Sequence, residues 1–175
     1  MGKVEVPRTA YAEETMRVLR GCGCLLVSGS MEEANVMTIG WGLIGPIWSR
    51  PFFMVAVRPS RYTYQFIEKT GDFTVNVPKK GMEETADYCG SVSGREHDKF
   101  KEKGLTREHG KRTESPVISE CVVQYECKVA YSTKVMPGVL PEDILRGSYP
   151  SGDYHTLYFG EILSTLEDRN VKSLL

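Results

Sequence analysis

A short segment, RPSRYT at residues 58–63, combines two guanidinium groups with two aliphatic hydroxyls. Pro59 disfavours helix at Arg58 and allows a helix to begin near Ser60 as its N-cap. The N–H groups of a first helical turn have no partners within the helix, and with the helix dipole they favour a bound anion. Either Arg58 or Arg61 could bind a phosphate through two parallel hydrogen bonds. The segment therefore predicts a phosphate site, with a capped helix and solvated arginines as the alternative.

A second segment, CGSVSGREHDKF at residues 89–100, contains a turn rich in Gly and Ser that is followed by cations. Its relevant residues are Gly90, Ser91, Ser93, Gly94, Arg95 and Lys99. Backbone N–H groups in such a turn can bind an anion. The spacing differs from that of a nucleotide P-loop, and an ordinary loop before a polar helix is the alternative. Two segments of this kind in one chain favour an anion site more than either does alone.

Length and charge limit the classes of function. The chain has 175 residues, of which 41% are hydrophobic and 26% are charged, as expected for a single domain over residues 1–175. A net charge of −1 gives no general attraction to nucleic acid or to an acidic membrane surface. The first 20 residues contain no long apolar run, so we expect a cytoplasmic protein without a membrane partner.

The cysteines do not suggest a metal site. There are five of them, without a C-x-x-C pair, namely Cys22, Cys24, Cys89, Cys121 and Cys127. Zinc sites usually show such paired spacing, and cysteine is often simply a small buried apolar residue. We therefore expect no metal.

Most of the apolar runs are β-branched and bounded by Gly or Pro, which is typical of strands. They cover residues 24–30, 35–44, 52–58, 73–78, 122–135 and 155–166. Helical patterns are fewer and cover residues 9–19, 60–71, 81–90 and 96–104. This balance predicts a mainly β protein, a closed or nearly closed β-barrel with a few inserted helices. Glycines at 40 and 42 within the second run suggest a close approach by a ligand or by another backbone segment.

The order of the motifs N-x-M-T, R-P-S-R-Y-T, F-x-V-N-V-P and C-G-x-x-S-G-R resembles the flavin reductase-like family of FMN-binding split barrels. The likeness extends over residues 20–165 and is greatest to flavoredoxin-type members. It implies a split barrel with Greek-key-like connections and FMN as the cofactor. Together with the anion segments, it gives a candidate cofactor-binding set of Asn35, Met37, Thr38, Ile39, Gly40, Trp41, Arg58, Ser60, Arg61, Tyr62, Thr63, Asn76, Ser91, Ser93, Gly94 and Lys99.

A late segment, GDYHTLYFGEI at residues 152–162, is similar to the G-D-H-x-x-x-x-G-E-[VI] strand of flavin reductases. It carries one extra residue, Tyr154, before the histidine. The resemblance implies that His155 lies near the flavin or the nicotinamide as a candidate catalytic residue. A lone histidine in a strand is also commonly a packing residue, so both interpretations stay open here.

Three functional hypotheses follow from the sequence. The first is an enzyme whose FMN accepts hydride from NADH or NADPH and passes electrons to an acceptor. The second is an FMN-containing electron carrier reduced by a ferredoxin-like partner protein, and the third is a barrel without a cofactor. We also expect a homodimer, because an apolar cluster of the kind found at association surfaces is formed by Trp41, Ile44, Ile47 and Trp48.

Overall fold

The structure is a computed structural model that describes residues 3–171 and 175. Ten strands occur in this part of the chain. They are β1 Val4–Val6, β2 Cys24–Gly29, β3 Ala34–Ile39, β4 Gly42–Ile47, β5 Arg50–Val57, β6 Asp72–Val77, β7 Arg107–Glu108, β8 Val117–Ile118, β9 Val123–Lys134 and β10 Thr156–Glu167. The α-helices are α1 Ala12–Arg20, α2 Tyr62–Thr70, α3 Glu83–Ser91, α4 Lys99–Glu102 and α5 Glu142–Ser148, with a 3₁₀ turn at Pro137–Val139. The prediction of a mainly β fold is confirmed.

Eight strands form one antiparallel sheet in the order β3-β2-β6-β9-β10-β5-β4, with β1 added at the far end of β10. The sheet curls into a split barrel that is not closed, because β3 and β4 remain its two unpaired edges. Several neighbours in the sheet are distant in sequence, which is the Greek-key-like character that the resemblance implied. The long pair β9–β10 has two register shifts, after Phe159 and after Ile162.

The expectation of one strand over residues 35–44 is wrong, because the chain turns a corner at Gly40 and Trp41 and continues as β4 along β5. The glycine at 42 explains the close approach expected there. A Cβ atom at Gly42 would lie 2.8 Å from the Met54 carbonyl oxygen. The corner therefore lies between the two edge strands, β3 and β4, which do not pair with each other.

The apolar run of β2 is continuous because both faces of this strand are buried. Leu26 faces the barrel interior with Phe53 and Tyr125, whereas Leu25 and Val27 face a second apolar layer on the other side. Helices α3 and α4 cover that second layer, through residues that include Ala86 and Phe100. The hydroxyl of Thr38 also donates to the Ala86 carbonyl oxygen, so α3 is held beside β3.

Helix α2 begins one residue later than expected. Arg61 is its N-cap residue and Ser60 lies just outside, whereas Gly71 ends the helix in the left-handed conformation as expected. The helical pattern at 96–104 shortens to the four residues of α4. Sequence analysis missed α5, although Pro141 followed by two acidic residues is a recognisable helix start. No helix among the described residues has the length and apolar character needed to cross a membrane.

Candidate functional site

The two segments predicted to bind an anion meet in one cavity of about 270 Å³. The start of α2 forms one wall, and the end of α3 with the loop that follows it forms the other. The lining residues are Asn35, Met37, Ser60, Arg61, Tyr62, Thr63, Cys89, Gly90, Ser91, Val92, Ser93, Gly94, Arg95 and Lys99. We call this space the anion cavity. The segments at 58–63 and 89–100, which are separated in sequence, therefore form one common site.

The anion cavity is electropositive. Arg61, Arg95 and Lys99 line it, and no carboxylate is among its lining residues. Lys99 is buried, and its ammonium group donates to the Cys89 carbonyl oxygen at 2.8 Å. Burial lowers the pKa of Lys99, the electrostatic interaction with Cys89 opposes this shift, and the charge of Arg61 lowers the pKa further. An anion bound here would therefore meet three cations at short range, and it would offset the cost of burying Lys99.

Close backbone packing sets the width of the anion cavity. A Cβ atom at Gly94 would lie 2.0 Å from Oδ1 of Asn35 and 2.9 Å from the ring of Tyr62. The amide of Asn35 is itself fixed, because Nδ2 donates to the buried Thr63 hydroxyl at 2.7 Å. The guanidinium group of Arg95 lies 5.2 Å from the centre of the Tyr62 ring. Loop and helix are thus held together by contacts that a side chain at 94 would disrupt.

A second cavity, of about 210 Å³, opens between the sheet edge β3 and the end of β5. We call it the ring cavity, and its lining residues are Met37, Thr38, Ile39, Gly40, Trp41, Ala56, Arg58, Arg61 and His155. Met37 and Arg61 line both cavities, which are therefore adjacent parts of one elongated site. Half of the Trp41 side chain is exposed here.

His155 is a buried, neutral imidazole. Its Nδ1 lies 2.8 Å from the hydroxyl of Tyr149, and its ring is 4.8 Å from that of Trp41. Burial lowers the pKa of His155 to about 4, and the nearby charge of Arg58 contributes to this shift. At neutral pH the imidazole therefore takes part in hydrogen bonds without carrying a charge.

Arg58 organises the chain before His155. Its guanidinium group donates to the carbonyl oxygens of Ser148 at 2.8 Å and of Asp153 at 3.1 Å. The carboxylate of Asp153 in turn accepts from the backbone N–H of Ser60 at 3.3 Å and from the Ser60 hydroxyl at 2.5 Å. The 148–153 segment is therefore attached both to the ring cavity and to the edge of the anion cavity.

A model of the flavin reductase like domain matches residues 21–175. The chain belongs to this family. A Pyrococcus abyssi protein is 32% identical over 143 residues, which are 80% of this chain and 70% of that protein. A flavoredoxin structure from Methanosarcina acetivorans has a TM-score of 0.67 at 28% identity and covers 83% of this chain and 68% of its own.

An FMN-binding protein from Thermus thermophilus has the same TM-score of 0.67 at 21% identity, covers 85% of this chain and 71% of its own, and shows the shared fold alone. The family match extends over both cavities of this flavin reductase-like chain. It also covers nearly all of the sheet that forms them.

Of the seventeen candidate residues, sixteen lie at one or both cavities of this flavin reductase-like domain. Among these sixteen, Arg58 lies at the ring cavity and not beside the anion cavity. The seventeenth residue, Asn76, lines neither cavity. Its Nδ2 donates to the Leu25 carbonyl and to the Thr74 hydroxyl, and its Oδ1 accepts from the N–H of Ile118.

Several residues at the site were missed by sequence analysis. Cys89 and Ala56 line the cavities through their positions at element ends. Tyr149 and Asp153 act through the β9–β10 connection, and they were missed because no element was predicted over that connection. The sequence did carry one sign of this connection. The extra residue before His155 indicates that the local geometry departs from the family pattern.

Proposed function

We propose that this protein binds FMN across the two cavities, and that it transfers hydride or electrons between NADH or NADPH and an acceptor. The observation that carries the proposal is the anion cavity itself. It has three cations, exposed backbone donors and no lining carboxylate, and it adjoins a second cavity bounded by a tryptophan and a sheet edge. A terminal phosphate suits the first cavity, and a flat aromatic ring suits the second.

The residues present fit this cofactor. Arg61, Arg95 and Lys99 would neutralise the phosphate, and the hydroxyl of Thr63 and the N–H groups of Ser93 and Gly94 would donate to it. The backbone of residues 37–41 would lie along the ring, with Trp41 beside it. When bound, the flavin supplies the redox chemistry, so the chain is left to bind, orient and shield. No acid–base pair is required of the protein for that role.

An electron carrier is the second candidate, and it is favoured by the likeness to flavoredoxin at 28% identity. In that case a ferredoxin-like protein would reduce the flavin. The enzyme proposal requires space for a nicotinamide against the ring, and the corner residue Trp41, which lines the ring cavity, is about half exposed.

An absorbance spectrum and an anaerobic titration test both candidates. The purified protein, reconstituted with FMN, is expected to show a flavin spectrum at one equivalent per chain. Bleaching by NADH or NADPH alone supports the enzyme. Bleaching only after a reduced ferredoxin is added supports the carrier. Failure to bind FMN under any of these conditions rejects both.

A further inference from the structure

We propose that Tyr149 is a positioning residue that holds His155 with its proton on Nε2, so that His155 donates a hydrogen bond to a carbonyl oxygen of a ligand in the ring cavity. The tautomer follows from the fold alone. The carbonyl ligand, which could belong to a flavin or to a substrate, rests on the proposed function.

The first step concerns the direction of the bond between Tyr149 and His155. Both side chains are buried, at 7% and 8% exposure, and the phenol oxygen lies 2.8 Å from Nδ1. Within residues 3–171 the phenol oxygen has no other hydrogen-bond partner. If Nδ1 carried the proton, the phenol would accept it and leave its own buried O–H without a partner, which is unfavourable. The phenol therefore donates to Nδ1, and the neutral ring carries its proton on Nε2.

The second step concerns the other ring nitrogen. In the described part of the chain Nε2 of His155 has no hydrogen-bond partner. It is also absent from the fully buried unpaired polar atoms, a group that includes the neighbouring Thr156 hydroxyl. Because His155 lines the ring cavity beside Trp41, this N–H is left for a ligand.

The third step concerns charge. The groups that face the imidazole are Arg58 from the end of β5, Arg61 from the start of α2, and Asp153 and Tyr149 from the β9–β10 connection. Burial and the two guanidinium groups lower the pKa of His155 to about 4, against the opposing effect of Asp153. A neutral N–H donor suits a neutral acceptor such as a carbonyl oxygen, whereas an anion would be better placed at the arginines.

The fold also explains why Tyr149 stays in place. The Arg58 guanidinium lies 5.2 Å from the centre of its ring, and the Tyr154 ring is 5.0 Å away on another side. The turn that leads back to His155 passes through two left-handed residues, Gly152 at φ 77° and Asp153 at φ 56°. The extra residue, Tyr154, follows this turn, and Nδ1 of the next residue, His155, lies beside the phenol of Tyr149.

Nitrogen-15 NMR of histidine in the purified protein, without cofactor, tests the tautomer. The chain has three histidines, and His155→Gln assigns the resonance of interest. We expect the Nε2–H form in the wild type. In Tyr149→Phe the Nδ1 resonance should move, because this nitrogen loses its hydrogen-bond donor.

The control for that experiment is Tyr154→Phe, which removes a neighbouring hydroxyl that does not contact His155. It is expected to leave the His155 resonances unchanged. A wild-type Nδ1–H tautomer would overturn the inference, as would resonances that are identical in Tyr149→Phe. If Tyr149→Phe fails to fold by circular dichroism, the wild-type tautomer and the two variants described next decide the question.

Two substitutions of His155 test the donor. The amide of Gln reaches roughly the position of Nε2, and the shorter amide of Asn reaches roughly that of Nδ1. In FMN-loaded protein we expect His155→Gln to retain the anaerobic rate of reduction by NADH, or the flavin dissociation constant, within about threefold. His155→Asn should change one of these by about tenfold. Equal behaviour of the two variants in both measurements would overturn the donor role.

Failure of the inference can be distinguished from failure of the proposed function. If the wild-type chain binds no FMN, the proposed function fails and the NMR result alone decides the tautomer. If FMN binds while Gln and Asn behave alike, the proposed function stands and the inference falls.

Discussion

Arg61 connects the two halves of the candidate site, because its exposed side chain lines both cavities. It precedes the first turn of α2, so its charge adds to that of the helix N-terminus. The neighbouring Arg58, which looks equivalent in sequence, is engaged with backbone carbonyl oxygens. Arg61 is therefore the arginine of this pair that remains available to an anion.

Replacing this residue should weaken the cofactor. We expect Arg61→Ala to reduce the affinity for FMN by about 1.5–3 kcal/mol through loss of a charge-assisted hydrogen bond. Arg112→Ala, which makes the same charge change in an exposed loop outside both cavities, should have little effect. Fluorescence titration measures both variants. Equal affinities in the wild type and Arg61→Ala would remove Arg61 from the binding site.

For single residues of the site, the sequence predicted which residue types would bind an anion better than it predicted what each residue does. Hydroxyls and guanidinium groups near a helix start can be recognised as an anion site without a fold, because the preference is local. The role of Asn76 could not be recognised in this way. Its three hydrogen bonds go to Leu25, Thr74 and Ile118, which are brought together only by sheet pairing and by the approach of β8 to β6. Arg58 and Arg61 were likewise indistinguishable until the partners of Arg58 were placed.

Among the elements, the loop after α3 depends most on a single residue. Gly94 lets this loop approach β3 and α2, and the Asn35 side chain that it meets cannot turn away without losing its bond to Thr63. The loop therefore keeps its backbone N–H groups at the anion cavity only while residue 94 has no side chain.

A methyl group at this position tests that dependence. We expect Gly94→Ala to lower the free energy of unfolding by about 1–3 kcal/mol through overpacking, and to weaken FMN binding as well. The matched control is Gly138→Ala, where an added Cβ would have no atom within 4 Å. Thermal unfolding and fluorescence titration measure the two effects. A Gly94→Ala protein with the stability and FMN affinity of the wild type would contradict the packing account.

The elements themselves were largely predictable. Runs of β-branched residues between Gly and Pro predicted five strands of the sheet, β2, β5, β6, β9 and β10, to within a few residues. In β2 the apolar pattern is continuous because both faces are buried. The corner at Gly40 and Trp41 was missed, because a change of strand direction leaves no periodic signal. The sequence left open whether the barrel is closed or nearly closed, since whether β3 pairs with β4 depends on tertiary geometry.

For the whole molecule, the exposed apolar residues on β4 and at its two ends are the notable feature, and one of them, Trp41, also lines the ring cavity. Trp48 is 64% exposed, Leu43 is 60% exposed and Trp41 is 49% exposed. Leu43 lies on β4, an edge strand of the sheet, and Trp48 lies in the turn that follows it. We propose that a second copy of the chain covers this surface and forms a homodimer. The ring cavity, at about 210 Å³, is smaller than most ligand pockets and would gain a further wall from the partner.

A charged substitution on this surface should separate the two copies. Light scattering of the wild-type protein is expected to give a mass near twice 19.7 kDa. Trp48→Glu and Leu43→Glu should shift the mass toward the monomer, because a carboxylate would be buried without a partner. FMN affinity should fall in parallel, since each ring cavity would lose its second wall. Val4→Glu, a similar change on β1, should leave the mass unchanged, and a wild-type monomer that retains FMN at micromolar concentration would refute the shared site.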